Sequence, residues 1–248
     1  MTFIEALNSQ DLEKIRKFPK ADLHNHFVLG GSREYIFNKT GYKIKSITTP
    51  LKSMGEMDSW SSKYIGNHFN SPEGRKLLIE ATFAQAKFDG VTVLEIGEDV
   101  WGLGEFFDND IEKMIFCFQE ANARIAPEIE LRLQIGLSRH CSVDYLMNCL
   151  SHFWGHKEFY SIDLYGDELA QSIANFIPIY DKAAENGLVL KAHVGEWGTA
   201  KDIITAVELL HLNEVQHGIA AVQDENVIEY LIENNIRLNI TPSSNVLL

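Results

Sequence analysis

Residues 188–211 read LVLKAHVGEWGTAKDIITAVELLH. An apolar run ends in His193, Gly195 turns the chain, Glu196 follows, and from Thr199 onward apolar residues recur at helical spacing. This is a strand, a turn and a helix, with the chemically capable side chains at the strand's C-terminal end. The same unit recurs along the chain. Strands are predicted at residues 21–27, 91–96, 131–137, 159–164, 188–193, 215–217 and 236–240. Helices are predicted at 32–40, 71–88, 111–123, 144–154, 168–185, 199–211 and 224–234, with Ser71 capping the second, Pro72 opening it and Pro178 bending the fifth. Residues 42–70, carrying Pro50, Gly55 and Gly66, predict a long irregular loop. Nearly continuous apolar strands between amphipathic helices specify a parallel sheet covered by helices. No Pro/Gly/Ser-rich linker divides the sequence, so one domain spanning residues 1–248 is expected.

Seven strands suit a doubly wound sheet, or a TIM-type (β/α)8 barrel that lacks strand eight and its flanking helices. A barrel of about 250 residues would use the whole length. The sequence stops directly after the seventh strand, on the apolar Leu247 and Leu248. The expectation is a cut through a barrel, in a longer gene product or in a fragment that self-associates through its open sheet edge. Composition fits a globular protein, with 45% hydrophobic and 23% charged residues. The formal net charge of −13 disfavours nucleic acid and anionic membrane surfaces as partners. The three cysteines form no CxxC pair, and neither a signal peptide nor an apolar membrane span is legible, so a cytoplasmic location is expected.

Asp22-Leu23-His24-Asn25-His26 closes the first predicted strand. Histidines at i and i+2 of a strand share a face, so both imidazoles could bind one cation. Glu196, three residues after the strand-end His193, suits general acid/base work. Gln216-His217-Gly218 ends the sixth strand. Any one of these has a bland reading as surface or structural residues. Together they place four histidines and a glutamate at the C-terminal ends of strands one, five and six, which ring a single mouth in a barrel. His68, His140, His152, His156 and His211 fall in loops and helices and read as structural.

The blocks PKADLHNHF, DLYGDE, AHVGEWG, QHG and TPSSN, in that order, resemble the PKxxLHxHL, DLAGDE, HAGE, GHG and CPxSN blocks of the adenosine/AMP deaminase branch of the amidohydrolases. The resemblance runs from Pro19 to the last residue. It implies one zinc ion per chain held by His24, His26 and His193. It also implies Glu196 as the group that protonates the purine ring, and His217 as the residue that orients or deprotonates the attacking water. Gly166 would contact the purine through its backbone amide. The reaction implied is hydrolytic deamination of adenosine or a related purine or amino-heterocycle, with release of ammonia. No lysine falls in residues 159–166, where two-metal amidohydrolases carry a bridging one, which favours a single metal.

Two departures bear on substrate and metal. The family's sugar-holding aspartate is replaced by Val28, which cannot accept a hydrogen bond from a ribose hydroxyl. The family's metal-binding aspartate at the end of strand eight has no counterpart, which makes His140 and Asp163 the first alternatives for a fourth ligand. The competing expectations are a mononuclear amidohydrolase with a non-nucleoside substrate, and an inactive truncated barrel that binds a ligand without turnover.

Overall fold

A computed structural model of the chain describes residues 2–247; Met1 and the terminal Leu248 named above lie outside the described residues. The strands are β1 (Lys20–Asp22), β2 (Val91–Ile96), β3 (Glu130–Ser138), β4 (Phe159–Tyr165), β5 (Val189–Val194), β6 (Glu214–His217) and β7 (Arg237–Asn239). They form one sheet in the order β1 to β7, every neighbouring pair parallel. Parallel neighbours need a crossover. Helices Pro72–Asp89, Ile111–Ile125, Val143–Leu150, Ile177–Glu185, Ala200–Leu210 and Glu225–Glu233 supply it between successive strands.

Side-chain contacts show that the sheet curls on itself. Lys191 of β5 reaches Glu95 of β2 at 2.6 Å. The ring of His24, just past β1, meets the carbonyl of Asn239 in β7 at 2.8 Å. Strands at opposite ends of the sheet order therefore stand close together, as in the TIM-type barrel expected from the sequence. Seven of its strands lie among the described residues.

The strands divide their side chains by face. Leu94, Ile135, Ile162, Leu164, Leu190, Ala192 and Val215 are buried in one apolar cluster with Leu78, Phe83, Phe118, Leu146 and Ile203 of the helices. Each large apolar side chain buried there contributes roughly 1.5–3 kcal/mol. The opposite face carries Glu95, Ser161, Asp163, Lys191 and Gln216, all buried. These polar groups hydrogen-bond to one another across the interior, as buried polar groups must. Among the described residues no helix is long and apolar enough to cross a membrane.

Four expectations are corrected. The first strand stops at Asp22 rather than reaching Phe27. Asn25 bonds back to Asp22 at 2.7 Å, and His26 becomes the N-cap of a short helix, Phe27–Gly30. The segment 42–70 is not wholly irregular: helix Met54–Ser61, capped by Ser53, continues through a π-helical turn, Ser62–Gly66, into Asn67–Phe69. Its glycines sit inside the helical run, where they read as breakers. The predicted helix 168–185 begins only with a 3-10 turn, Ile173–Phe176, and the α-helix Ile177–Glu185. Pro178 lies in that helix's first turn, where its missing N–H costs nothing, so it starts the helix instead of bending it. Finally, the chain turns helical again after β7, at Pro242–Leu247.

Candidate active site

The strand ends deliver the predicted side chains to one place. His193 and His217 occupy the last turns of β5 and β6 and are 5% and 3% exposed. His24 and His26 come from the loop after β1. Ring centroids lie 4.7 Å apart for His24–His193, 4.5 Å for His24–His217, 5.0 Å for His193–His217, and 5.0 Å for His26–His193. One ring nitrogen from each of His24, His193 and His217 falls within a mutual 4.8 Å, a spacing that could hold a metal ion. His26 stands beside this trio and packs edge-on against Tyr165 at 4.7 Å.

Each ring is oriented by a neighbour. His24 offers Nδ1 to the Asn239 carbonyl, which leaves its other nitrogen for the centre. His193 Nε2 lies 3.2 Å from Asp163 Oδ2. Thr241 and Asn245, from the TPSSN segment, approach His217 Nδ1 at 3.2 and 2.9 Å. With those groups as donors, the tautomer assigned from the network puts the ring proton on Nε2, which faces Glu196 at 3.3 Å. Burial is the largest cause of depressed basicity in all four rings, and it takes His217 down to about 2. All four imidazoles are therefore neutral at physiological pH, with lone pairs available.

The donor set suits a cation in a further respect. Asp163 is 1% exposed, and its Oδ1 is buried with no hydrogen-bond partner. An orphaned carboxylate oxygen beside three neutral imidazoles is what a divalent ion would satisfy.

Glu196 is held by a residue that the sequence did not single out. Glu168, read above as the start of a helix, lies in the loop after β4 and is 3% exposed. One of its oxygens accepts the Gly195 N–H at 2.6 Å. The other accepts those of Glu196, Trp197 and Gly198 at 3.1, 2.9 and 3.1 Å. Gly195 has φ +71°, and a Cβ there would come within 2.7 Å of Ile203, so the tight turn that presents Glu196 requires glycine. Burial, then the charge of Glu168, pushes the Glu196 carboxyl up to about 7. Its Oε1 is buried and unpartnered.

Gly166 follows β4 at φ +90°, and a Cβ there would lie 3.6 Å from His140 Nδ1. His140 is an exposed rim residue. Of the other histidines, His68 stacks on Tyr42 at 3.8 Å, His156 lies 3.5 Å from Glu112, and His211 caps a helix. Val28 lines a cavity of about 230 Å³ together with Leu29, Ile44, Met57 and Trp60.

Seven parallel strands curled on themselves, with histidines and a buried carboxyl clustered at their C-terminal ends, are the arrangement of an amidohydrolase-type barrel. Comparison with known proteins sharpens this. The family model described as adenosine deaminase matches residues 102–248. The adenine deaminase of Vibrio parahaemolyticus is 34% identical over 259 residues, spanning 94% of this chain and 72% of that protein. The adenosine deaminase of Clostridium acetobutylicum is 30% identical over 260 residues, spanning 94% and 75%. The crystal structure of an amidohydrolase from Burkhoderia ambifaria with bound Zn superposes with a TM-score of 0.73 at 17% identity, covering 93% of this chain and 67% of that one. The chain belongs to the adenosine deaminase family, and it is a deaminase-like hydrolase.

Proposed function

We propose that this chain, as one barrel domain, hydrolytically deaminates a purine or a related amino-heterocycle at a site holding one zinc ion. The observation that carries this reading is the cluster of His24, His193 and His217, whose ring nitrogens lie within 4.8 Å of one another, with the Glu196 carboxyl 3.3 Å from His217. The resemblance to the family assigns His24, His26 and His193 as ligands, while the ring nitrogens that lie within 4.8 Å of one another are those of His24, His193 and His217, with His26 beside them. A zinc ion held by these residues would supply the Lewis acidity that makes hydrolysis feasible at neutral pH.

The chain's own residues do the rest. Glu196, close to half protonated near neutrality, donates its proton to a ring nitrogen of the substrate, and the neighbouring amidine-like carbon becomes open to water. His217 stands beside the attacking water as an orienting group; one proton of that water leaves with the amino group as ammonia, and the other restores Glu196 as the ring carbonyl forms. The Gly166 amide supports the heterocycle from the end of β4. Glu168 fixes the segment 195–198, so that Glu196 meets the ring at a constant angle.

The substrate's far side is less like that of a nucleoside enzyme. The Val28 side chain itself offers no acceptor to a ribose hydroxyl, and it lines a mostly apolar cavity. Ser32 caps a helix by accepting the Tyr35 N–H through its side-chain oxygen. A base, or an analogue altered at the sugar, is therefore favoured over adenosine itself. The test is ammonia release from a panel of adenine, adenosine and sugar-modified adenosines, alongside the zinc content. One zinc per chain with turnover of at least one aminopurine is expected. No ammonia from any of them, or two tightly bound ions per chain, would overturn the reading.

A further inference from the structure

Beneath the histidines lies a cation that the chemistry above does not use. Lys191 faces inward from β5, two residues before His193, and is fully buried. Its Nζ lies 2.6 Å from Glu95 Oε1 and 3.0 Å from Glu214 Oε2. It also donates to the carbonyl of Leu23 at 3.3 Å. Gln216 Nε2, on β6, donates to that same carbonyl at 3.1 Å. Leu23 lies past the end of β1 and immediately before His24, where the strand ladder no longer holds the backbone. Two side chains from across the barrel grip it there instead.

A second route runs to the same histidine. Glu214 Oε2, paired with Lys191, accepts the Asn239 side-chain amide at 2.7 Å, and Gln216 Oε1 accepts it at 2.8 Å. The backbone carbonyl of Asn239 meets His24 Nδ1 at 2.8 Å. Both the backbone and the ring of His24 are thus tied to one buried polar layer centred on Lys191. Charge in that layer balances: Lys191 and Arg237, which pairs with Glu214 at 2.9 Å, stand against Glu95 and Glu214.

We propose that Lys191, with Gln216, is a positioning pair that sets the histidine loop after β1 for metal binding by gripping the Leu23 carbonyl. The proposal rests on the one-zinc reading above. Neither residue need touch substrate or metal. Partners of metal ligands outside the coordination sphere typically change affinity by about 10–100-fold when removed.

The test separates positioning from mere charge balance. Lys191→Met alone leaves Glu95 without its cation, so it is paired with Glu95→Gln, which restores neutrality. Three quantities are read on the whole chain: the thermal midpoint of the metal-free protein, zinc affinity by competition with a chromophoric chelator, and the visible spectrum of the cobalt(II)-loaded form. The expected result for Lys191→Met/Glu95→Gln is a near-wild-type midpoint with about 10–100-fold weaker zinc binding and an altered cobalt band. Gln216→Leu, which removes the other donor to Leu23 and leaves the ion pairs intact, is expected to weaken zinc binding in the same direction, and it carries the test if the double variant does not fold. Wild-type affinity and spectrum in a folded variant would overturn the proposal alone. A wild-type chain that takes up no zinc would instead overturn the metal reading beneath it.

Discussion

Replacing Glu168 by Gln tests how the loop bearing Glu196 is built. The carboxylate accepts four successive backbone N–H groups, one on Oε1 and three on Oε2. An amide keeps only one acceptor oxygen. With that oxygen toward residues 196–198, the new NH2 faces the Gly195 N–H and leaves it unpaired. A buried donor left unsatisfied costs about 1–3 kcal/mol, and bonds to a charged acceptor exceed neutral ones by up to about 1.5 kcal/mol each. Because these terms are not additive, a net loss of about 3 kcal/mol of stability is expected. The second effect is electrostatic. The Glu168 charge is the second cause, after burial, of the Glu196 carboxyl standing at about 7. Removing it lowers that value, so Glu196 loses its proton at lower pH. In the proposed mechanism activity needs the protonated acid, so kcat/KM is expected to fall as pH rises through the Glu196 pKa. At pH 8 about a tenth of wild-type Glu196 is protonated, and each unit of downward shift removes roughly another factor of ten there. The assay is initial ammonia release from the best aminopurine between pH 5.5 and 9, beside a thermal melt. Glu168→Gln should lose most activity above pH 7 and least near pH 5.5. A variant with wild-type midpoint and an unmoved alkaline limb would refute both parts of the reasoning.

Three further outcomes are expected. Glu196→Gln should cut kcat by about 10²–10⁴-fold while zinc content stays at the wild-type level, as measured by turnover and elemental analysis; activity within a few-fold of wild type would remove Glu196 from proton transfer. Asp99, 4% exposed and hydrogen-bonded by Ser138, is pushed up to about 7, chiefly by burial. A carboxyl raised above its unfolded value of about 3.9 contributes stability that is present below that pH and lost as pH rises through about 7. Asp99→Asn should therefore stabilise the fold at pH 8, by up to the order of 3 kcal/mol, with little gain near pH 4; parallel melting curves for variant and wild type across that range would contradict it. Val28→Asp should raise kcat/KM for adenosine relative to adenine by about tenfold, the value of one hydrogen bond to a charged group; an unchanged ratio would mean that the sugar does not reach this side of the pocket.

Some of this site was written openly in the sequence and some was not, for reasons of strand geometry. The strands β2 to β6 were legible because their outward positions, such as Leu94, Ile162 and Leu190, form apolar runs against helices with helical periodicity. His193, Glu196 and His217 were legible because Gly195 and Gly218 mark the strand ends that carry them, and His24 and His26 because they stand two residues apart after a strand. Glu168 was not: its role lies in four bonds to a loop 27 to 30 residues away, and a glutamate before an apolar stretch looks like the first turn of a helix. Strand β1 was overextended because Asp22 and Asn25 bend the chain through a side-chain bond that leaves no mark on periodicity.

Lys191 shows the same limit in its sharpest form. A lysine within an apolar strand reads as a residue turned toward solvent, and only closure of the sheet brings Glu95 from β2 and Glu214 from β6 against it. Buried charge is tolerated only where partners converge, and convergence is a property of the barrel and not of any one strand. The inward positions of this barrel are therefore the ones a strand pattern describes least well. They are also the ones that contact the Leu23 carbonyl beside His24, and Asp163 beside His193, so the residues hardest to read locally are those packed directly beneath the histidine cluster.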